Sequence, residues 1–373
     1  MEKIFVDVYL AFNLGDDLFL DILAKKYPDC EFTVNYVGSH YDEFISGYKN
    51  VNRRKYTLFN KIGQRLRLTD SIKNYDKIAE NHKALIFLGG SIFREERYHK
   101  SLYKDRLKLV TEFKNRNKPV FILGANFGPY ETKGFLNDYM KLFKLCDDVC
   151  FRDLDSYKLF DNLPQVRHAS DIVFQMRIED YITIGAKKNM VGFSIIDVRH
   201  KQGLYSYYDD YIVSTVKAIN LVVKKGHDCC LMSFCELEGD LELIDEIKSH
   251  LSLETLKKVS VYNYRGNIEE VMGLITSFKL FIAARFHANI LALLLGIGLI
   301  PIIYSNKTSN MLKDIGQCNI LVTMKDLHLQ YDENIINRGF DNKAMIEPLS
   351  KDSIKQFKSL DELLNISKED LGI

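Results

Sequence analysis

The chain opens with a short apolar run, Lys3–Leu10, and after a polar break continues into Asp16–Lys26, where apolar residues recur at helical spacing. The run has the length of a buried strand and the stretch has the period of an amphipathic helix. The pairing recurs. Ala84–Leu88, Pro119–Gly124 and Asp148–Phe151 read as further buried strands, with helical patterns after the second and third. Strands alternating with helices predict a parallel sheet with helices on both faces. Arg177–Lys188 breaks the rhythm and a new series begins. It predicts strand Met190–Ile195, helix Tyr208–Lys225, strand Asp228–Phe234, helix Asp240–Leu251, strand Lys258–Tyr262 and helix Ile268–Ser277. Strand Leu280–Ala284, helix Phe286–Leu295 and strand Leu299–Ile303 follow, and Lys351–Leu364 predicts one amphipathic helix.

The break near residue 180 divides the pattern into two α/β domains, 1–180 and 181–348, with a C-terminal helical segment, 349–373, able to cross back to the first. Length agrees, because 373 residues exceed one ordinary core. Open parallel sheets bind ligands beyond the carboxyl ends of their strands, so two such sheets predict an active site in the cleft between domains.

Composition narrows the class. Hydrophobic residues at 46% and charged residues at 27% exclude disorder. With 51 basic and 50 acidic residues, the net charge of +1 gives no footprint for general nucleic-acid binding. The N-terminal run carries acids and is too short for a signal peptide. The longest apolar stretch, Ile290–Ile303, is interrupted by glycines and Pro301 and falls short of the ~20 residues of a membrane span. Seven scattered cysteines with no Cys-x-x-Cys pair fit reduced thiols better than disulfides or a zinc site. A soluble, cytoplasmic protein without a metal centre is the expectation.

The polar signals fall at strand ends. Asn13-Leu14-Gly15-Asp16-Asp17 follows the first strand, where Gly15 permits a tight turn and Asp16 can cap the next helix or present an acid. It matches neither GxGxxG nor a Walker loop. Gly89-Gly90-Ser91 lets backbone amides approach an anion or a sugar, and Gly124-Ala125-Asn126-Phe127-Gly128-Pro129, again at a strand end, reads by itself as a structural turn. In Arg152-Asp153-Leu154-Asp155-Ser156, Asp153 suits an N-cap, and Arg152 suits either an ion pair with it or an anionic ligand. Arg285-Phe286-His287 stands where a buried strand meets a helix N-terminus, which attracts anions, and Lys307, past Tyr304 after the next strand, has reach to the same place. A structural histidine on a helix explains His287 equally well.

Taken in order, these pieces, together with Ser170-Asp171-Ile172-Val173-Phe174 and Tyr304-Ser305-Asn306-Lys307, resemble the polysaccharide pyruvyl transferase family. The resemblance spans most of residues 1–315. It implies a two-domain fold similar to the GT-B glycosyltransferases, and transfer of a pyruvyl group from phosphoenolpyruvate to a sugar as a cyclic ketal. It further implies a glycan or lipid-linked oligosaccharide acceptor, no cofactor, and work at the inner face of a membrane by peripheral association. The C-terminal domain is then the donor side and the N-terminal domain the acceptor side. His287 is the candidate acid and Asp16 or Asp17 the acceptor base. Arg285, Lys307 and Arg199 are the candidate donor cations, and Asn13, Gly15, Gly89, Gly90, Ser91, Asn126, Arg152 and Tyr304 complete the substrate-binding set. One departure is visible: the family's Ser-x-Arg pattern reads Ser194-Ile195-Ile196 here, which leaves Arg199 to substitute from a shifted position. A GT-B-like glycosyltransferase using a nucleotide sugar, and an inactive homologue scaffolding polysaccharide assembly, are the competing readings.

Overall fold

The structure is a computed structural model that describes residues 1–55, 74–181, 188–199, 201–304, 308–309, 311–312, 320–327 and 331–366. It consists of two compact units.

The first unit comprises Met1–Leu10, Phe19–Ile172 and the C-terminal residues from Lys351. Its strands are β1 (Glu2–Val8), β2 (Cys30–Val34), β3 (Val51–Arg53), β4 (Ala84–Leu88), β5 (Val120–Ala125), β6 (Asp148–Phe151) and β7 (Val166–His168). They form one parallel sheet in the order β3-β2-β1-β4-β5-β6-β7. β4 and β5 are buried along their whole length, as central strands covered on both faces must be. The order reverses at β1, so the carboxyl ends of β1 and β4 flank the position where such sheets bind ligands.

The second unit comprises Ala11–Leu18 and Val173–Ser350. Its strands are β8 (Met190–Ile195), β9 (Asp228–Ser233), β10 (Val259–Asn263), β11 (Leu280–Ala283), β12 (Gly298–Ile303) and β13 (Val322–Thr323), parallel in the order β10-β9-β8-β11-β12-β13. Here the reversal lies between β8 and β11. Ile196 and Val198, just past β8, are fully buried in this unit's core with Ile282 and Ile300.

Two of the predicted helices are built differently from the sequence reading. The first helix begins at Leu14 rather than Asp16. Asn13 is its cap: its side-chain Oδ1 accepts the Gly15 N–H at 3.2 Å and its carbonyl accepts those of Asp16 and Asp17. Asp16 and Asp17 instead occupy the first turn, where acids suit the helix dipole. The single helix expected at Lys351–Leu364 is a helix, Glu347–Ser353, a 3₁₀ turn, Ile354–Phe357, and a second helix, Lys358–Leu364. Gln356 accounts for the interruption. Its buried amide accepts from Gly124 N at 2.8 Å and donates to the carbonyls of Ala169 and Ser170 at 2.8 and 3.1 Å. A fully buried amide must find such partners, and a continuous solvent-lapped helix would not supply them.

Among the described residues no helix is long and apolar enough to cross a membrane. Cys30, Cys146, Cys150, Cys229, Cys230 and Cys235 are buried free thiols. Cys318 lies outside the described residues.

Candidate functional site

In the first unit, four of the loops singled out in the sequence meet in one hydrogen-bonded network past β4, β5 and β6. Gly89 has φ +97°, and a Cβ there would stand 2.7 Å from the Phe19 ring. The Gly90 carbonyl accepts the Asn126 N–H at 2.9 Å. Asn126 is fully buried, and its Oδ1 accepts from Ser91 Oγ at 3.1 Å and from Arg152 Nη2 at 2.8 Å. Arg152 Nη1 donates to Asp171 at 2.8 Å, and its guanidinium lies over the Phe19 ring. Asp153 caps the following helix through Ser156 N at 2.8 Å. The Ser156 hydroxyl in turn accepts the Phe127 N–H at 2.8 Å. Arg152 thus forms an ion pair with Asp171. A buried guanidinium needs such a carboxylate to offset its lost hydration.

The Asn13–Asp17 loop, read from sequence as part of residues 1–180, belongs to the second unit. Leu14 N donates to Phe234 O at 3.1 Å, Cys235 Sγ to Ala11 O at 3.7 Å, and Tyr264 Oη to Asp17 at 2.8 Å. Phe12, immediately before it, holds φ +48°, a left-handed conformation that a bulky residue keeps only when its surroundings impose it. Gly15 lies directly against His287: a Cβ there would be 1.8 Å from the imidazole Nδ1. No side chain fits, so the glycine and the histidine form a single steric unit. Asp17 is fully buried on Tyr264, whereas Asp16 keeps 8% exposure. Of the two acids proposed as bases, Asp17 is an anchoring group.

Gly15→Ala provides a test of that contact. Displacing the ring should cost about 1–3 kcal/mol, as overpacking does. Gly15→Ala combined with His287→Ala should then be less destabilised than the sum of the two single variants, measured by urea unfolding. Additive effects would mean that the ring is not held by the glycine.

Arg285 stands at the β8–β11 reversal. Ser194 Oγ accepts the N–H groups of Ala284 and Arg285 at 3.0 and 3.1 Å, fixing the strand end. Asn289 Nδ2 donates to the Arg285 carbonyl at 2.9 Å. The side chain was expected to wait for an anionic ligand. Instead it lies between two carboxylates: Nε and Nη2 donate to Asp240, and Nη1 donates to Glu238 at 2.6 Å. A guanidinium this buried requires internal neutralisation. Burial alone would raise the Glu238 carboxyl, but the charges of Arg285 and Lys201 outweigh it and hold it far below the usual range. Arg285 is held protonated by Asp240 and Glu238 against its burial. Tyr304, half-buried after β12, couples electrostatically to the same guanidinium.

Arg199, the residue left to substitute for the missing arginine, already pairs with a carboxylate. Ile196 is in the core, while Arg199 folds back on Asp197, with Nη2 to Oδ2 at 2.7 Å, and over the Tyr208 ring at 4.9 Å. Lys307 lies outside the described residues, as do Ser305 and Asn306. Sequence reasoning missed Lys201, Glu238, Asp240 and Tyr264, and quoted Asp171 only within the Ser170–Phe174 motif without a role. The signal for two of them was present: Glu236-Leu237-Glu238-Gly239-Asp240 is an acid-rich turn at the carboxyl end of β9, the same position that drew attention elsewhere. Among the described residues no group of three or more His, Cys, Asp or Glu converges to hold a metal ion.

Two doubly wound parallel units of this kind define a two-domain α/β protein of the GT-B-like class. Within that class, the family model for polysaccharide pyruvyl transferase matches residues 13–306, and the chain belongs to that family. Solved structures share the fold at low identity. HepE from Anabaena, in complex with UDP and glucose, is 13% identical over 98% of this chain and 100% of its own, with a TM-score of 0.62. MnaA from S. aureus, with UDP, is 10% identical over 98% of each chain, at 0.61. The UDP-GlcNAc 2-epimerase from Methanocaldococcus jannaschii is 9% identical over 97% and 100%, at 0.58.

Proposed function

We propose that the chain transfers a pyruvyl group from phosphoenolpyruvate to a sugar of a polysaccharide or its lipid-linked precursor, forming a pyruvate ketal. Family membership supports transfer in polysaccharide modification. The observation that carries the finer reading is the meeting of the Gly15 loop with His287, two residues beyond Arg285 at the helix N-cap, in a single unit.

The chemistry assigns the roles. A proton from His287 adds to the donor's methylene carbon and leaves an oxocarbenium centre at the carbon bearing the phosphate. A first sugar hydroxyl attacks that carbon and loses its proton. The C–O bond to phosphate then breaks, and a second hydroxyl attacks and loses its proton. The products are the ketal and inorganic phosphate, with one net proton passing from the hydroxyls to phosphate. Asp16 is the acceptor base in this reading. Arg285 and Arg199, with Lys307, supply the positive field for the donor's phosphate and carboxylate. Gly89, Gly90, Ser91, Asn126 and Arg152 belong to the acceptor side. The steps call for no cofactor. A lipid-linked acceptor would bring the protein to the inner face of the membrane peripherally.

The second reading is transfer from a nucleotide sugar, favoured by one observation: HepE and MnaA, which share the fold, carry UDP in their structures. One experiment separates the two. The protein is incubated with phosphoenolpyruvate and candidate glycans, and phosphate release is followed alongside glycan mass. Phosphate release with a matching pyruvyl mass gain is the expected result. Thermal stabilisation by UDP-sugars and none by phosphoenolpyruvate, with no phosphate released, would favour the second reading.

A further inference from the structure

Glu238 Oε2 accepts from Arg285 Nη1 at 2.6 Å and from Lys201 Nζ at 2.7 Å. One carboxylate oxygen therefore bridges two cations from different strand-end loops of the second unit, at the reversal of its sheet. That is how a phosphate oxygen would be held. The two carboxylates on Arg285 are not equivalent. Asp240 is fully buried and also accepts the N–H groups of Phe234 and Cys235 at 3.1 Å each, so it is built into the start of its helix. Glu238 keeps 15% of its side chain exposed and sits at the end of the 3₁₀ turn Glu236–Glu238. The next residue, Gly239, has φ +85°. A Cβ at Gly239 would also be 2.5 Å from the Asp197 carboxylate, so that position has to stay glycine.

We propose that Arg285 and Lys201 form a binding site for a small phosphate-bearing anion, and that Glu238 is its internal occupant, exchanged for the ligand on binding. Asp240 stays with Arg285 throughout and keeps the guanidinium oriented. Glu238 sets the affinity, because an incoming anion gains only the difference between its own contacts and those of the carboxylate it displaces. The site deepens the donor reading above and rests on it only for the identity of the anion, not for the exchange.

The test is calorimetric titration of wild type and Glu238→Gln with inorganic phosphate and, separately, phosphoenolpyruvate. Glu238→Gln removes the competing charge while keeping size and is expected to bind phosphate about tenfold to a hundredfold more tightly, the span expected when a charge-assisted hydrogen bond is no longer contested. Glu242→Gln controls for net charge: Glu242 is 81% exposed on the helix that Asp240 begins, and its loss should leave phosphate affinity within about twofold. Lys201→Met in the Glu238→Gln background should remove the gain. Equal affinity in Glu238→Gln and wild type, an equal gain in Glu242→Gln, or weakened binding in a Glu238→Gln protein with native near-UV circular dichroism would each overturn the proposal. If Glu238→Gln does not fold, Glu238→Asp decides: its shorter carboxylate should release the cations and give a smaller gain, and no gain overturns the exchange. Tighter phosphate binding without phosphoenolpyruvate binding would remove the donor reading and leave the anion site standing.

Discussion

His287→Gln is expected to lower pyruvyl transfer by about 10²–10⁴-fold, the usual contribution of a general acid, with donor affinity close to wild type. Glutamine nearly matches imidazole in size and can donate a hydrogen bond, but it cannot supply the proton. The structure sharpens this expectation. His287 is half-buried and its ring fills the space that Gly15 leaves open, so its place is set by backbone on one side and by its own helix on the other. A purely structural histidine would predict a different pattern. Glutamine would then retain most of the rate, and His287→Ala would chiefly lower Tm by leaving a void against Gly15. The pH–rate profile adds an independent reading. The ionisation belonging to the general acid should vanish in His287→Gln, and a rate and profile like the wild type's would assign the proton to another group.

The elements that carry most of the fold were legible because their patterns were strong. β4, β5, β6, β8, β9 and β11 are mostly apolar runs at inner positions of the two sheets. β2 was missed because Glu31 and Thr33 interrupt its apolar positions, as the alternation of a half-exposed strand requires. β3, β7 and β13 have two or three residues each, too few to show any period.

The site followed a similar rule. Ser91, Asn126 and Arg152 follow three successive strands read from the sequence, so a parallel sheet brings them together, whereas Asp171 follows the unread β7. The attachment of Asn13–Asp17 to the second unit was not legible. It depends on contacts such as Tyr264 to Asp17, separated by 247 positions. The neutralisation of Arg285 was hidden for a related reason. Its arginine and its carboxylates are 45 and 47 positions apart, so only the parallel pairing of β8 with β9 and β11 reveals that they meet.

That neutralisation changes what Arg285→Ala should do. From sequence, the variant would be expected to lose donor affinity and little else. In the structure, removing the guanidinium strands Asp240, which has no exposure to solvent, while Glu238 can turn outward. Breaking a buried ion pair from one side costs about 3–5 kcal/mol, so Arg285→Ala should destabilise the second unit by that order. The loss should be local at first. Phe234 and Cys235 donate their N–H groups to Asp240, and their hydrogen exchange should accelerate before that of the first unit's central strands. Asp240→Asn added to Arg285→Ala should recover part of the stability, because the stranded charge is gone, without restoring donor binding. The acid limb gives a further check. Glu238 is held below the ordinary carboxyl range, so its stabilising contribution is present above that range and is lost as pH falls through its lowered value. In Arg285→Ala only Lys201 remains to hold it down, so less of the second unit's stability should disappear on acidification than in wild type. If Arg285→Ala instead shows wild-type stability, wild-type exchange at Phe234 and Cys235, and the same acid dependence, the two carboxylates are not what holds Arg285 in place.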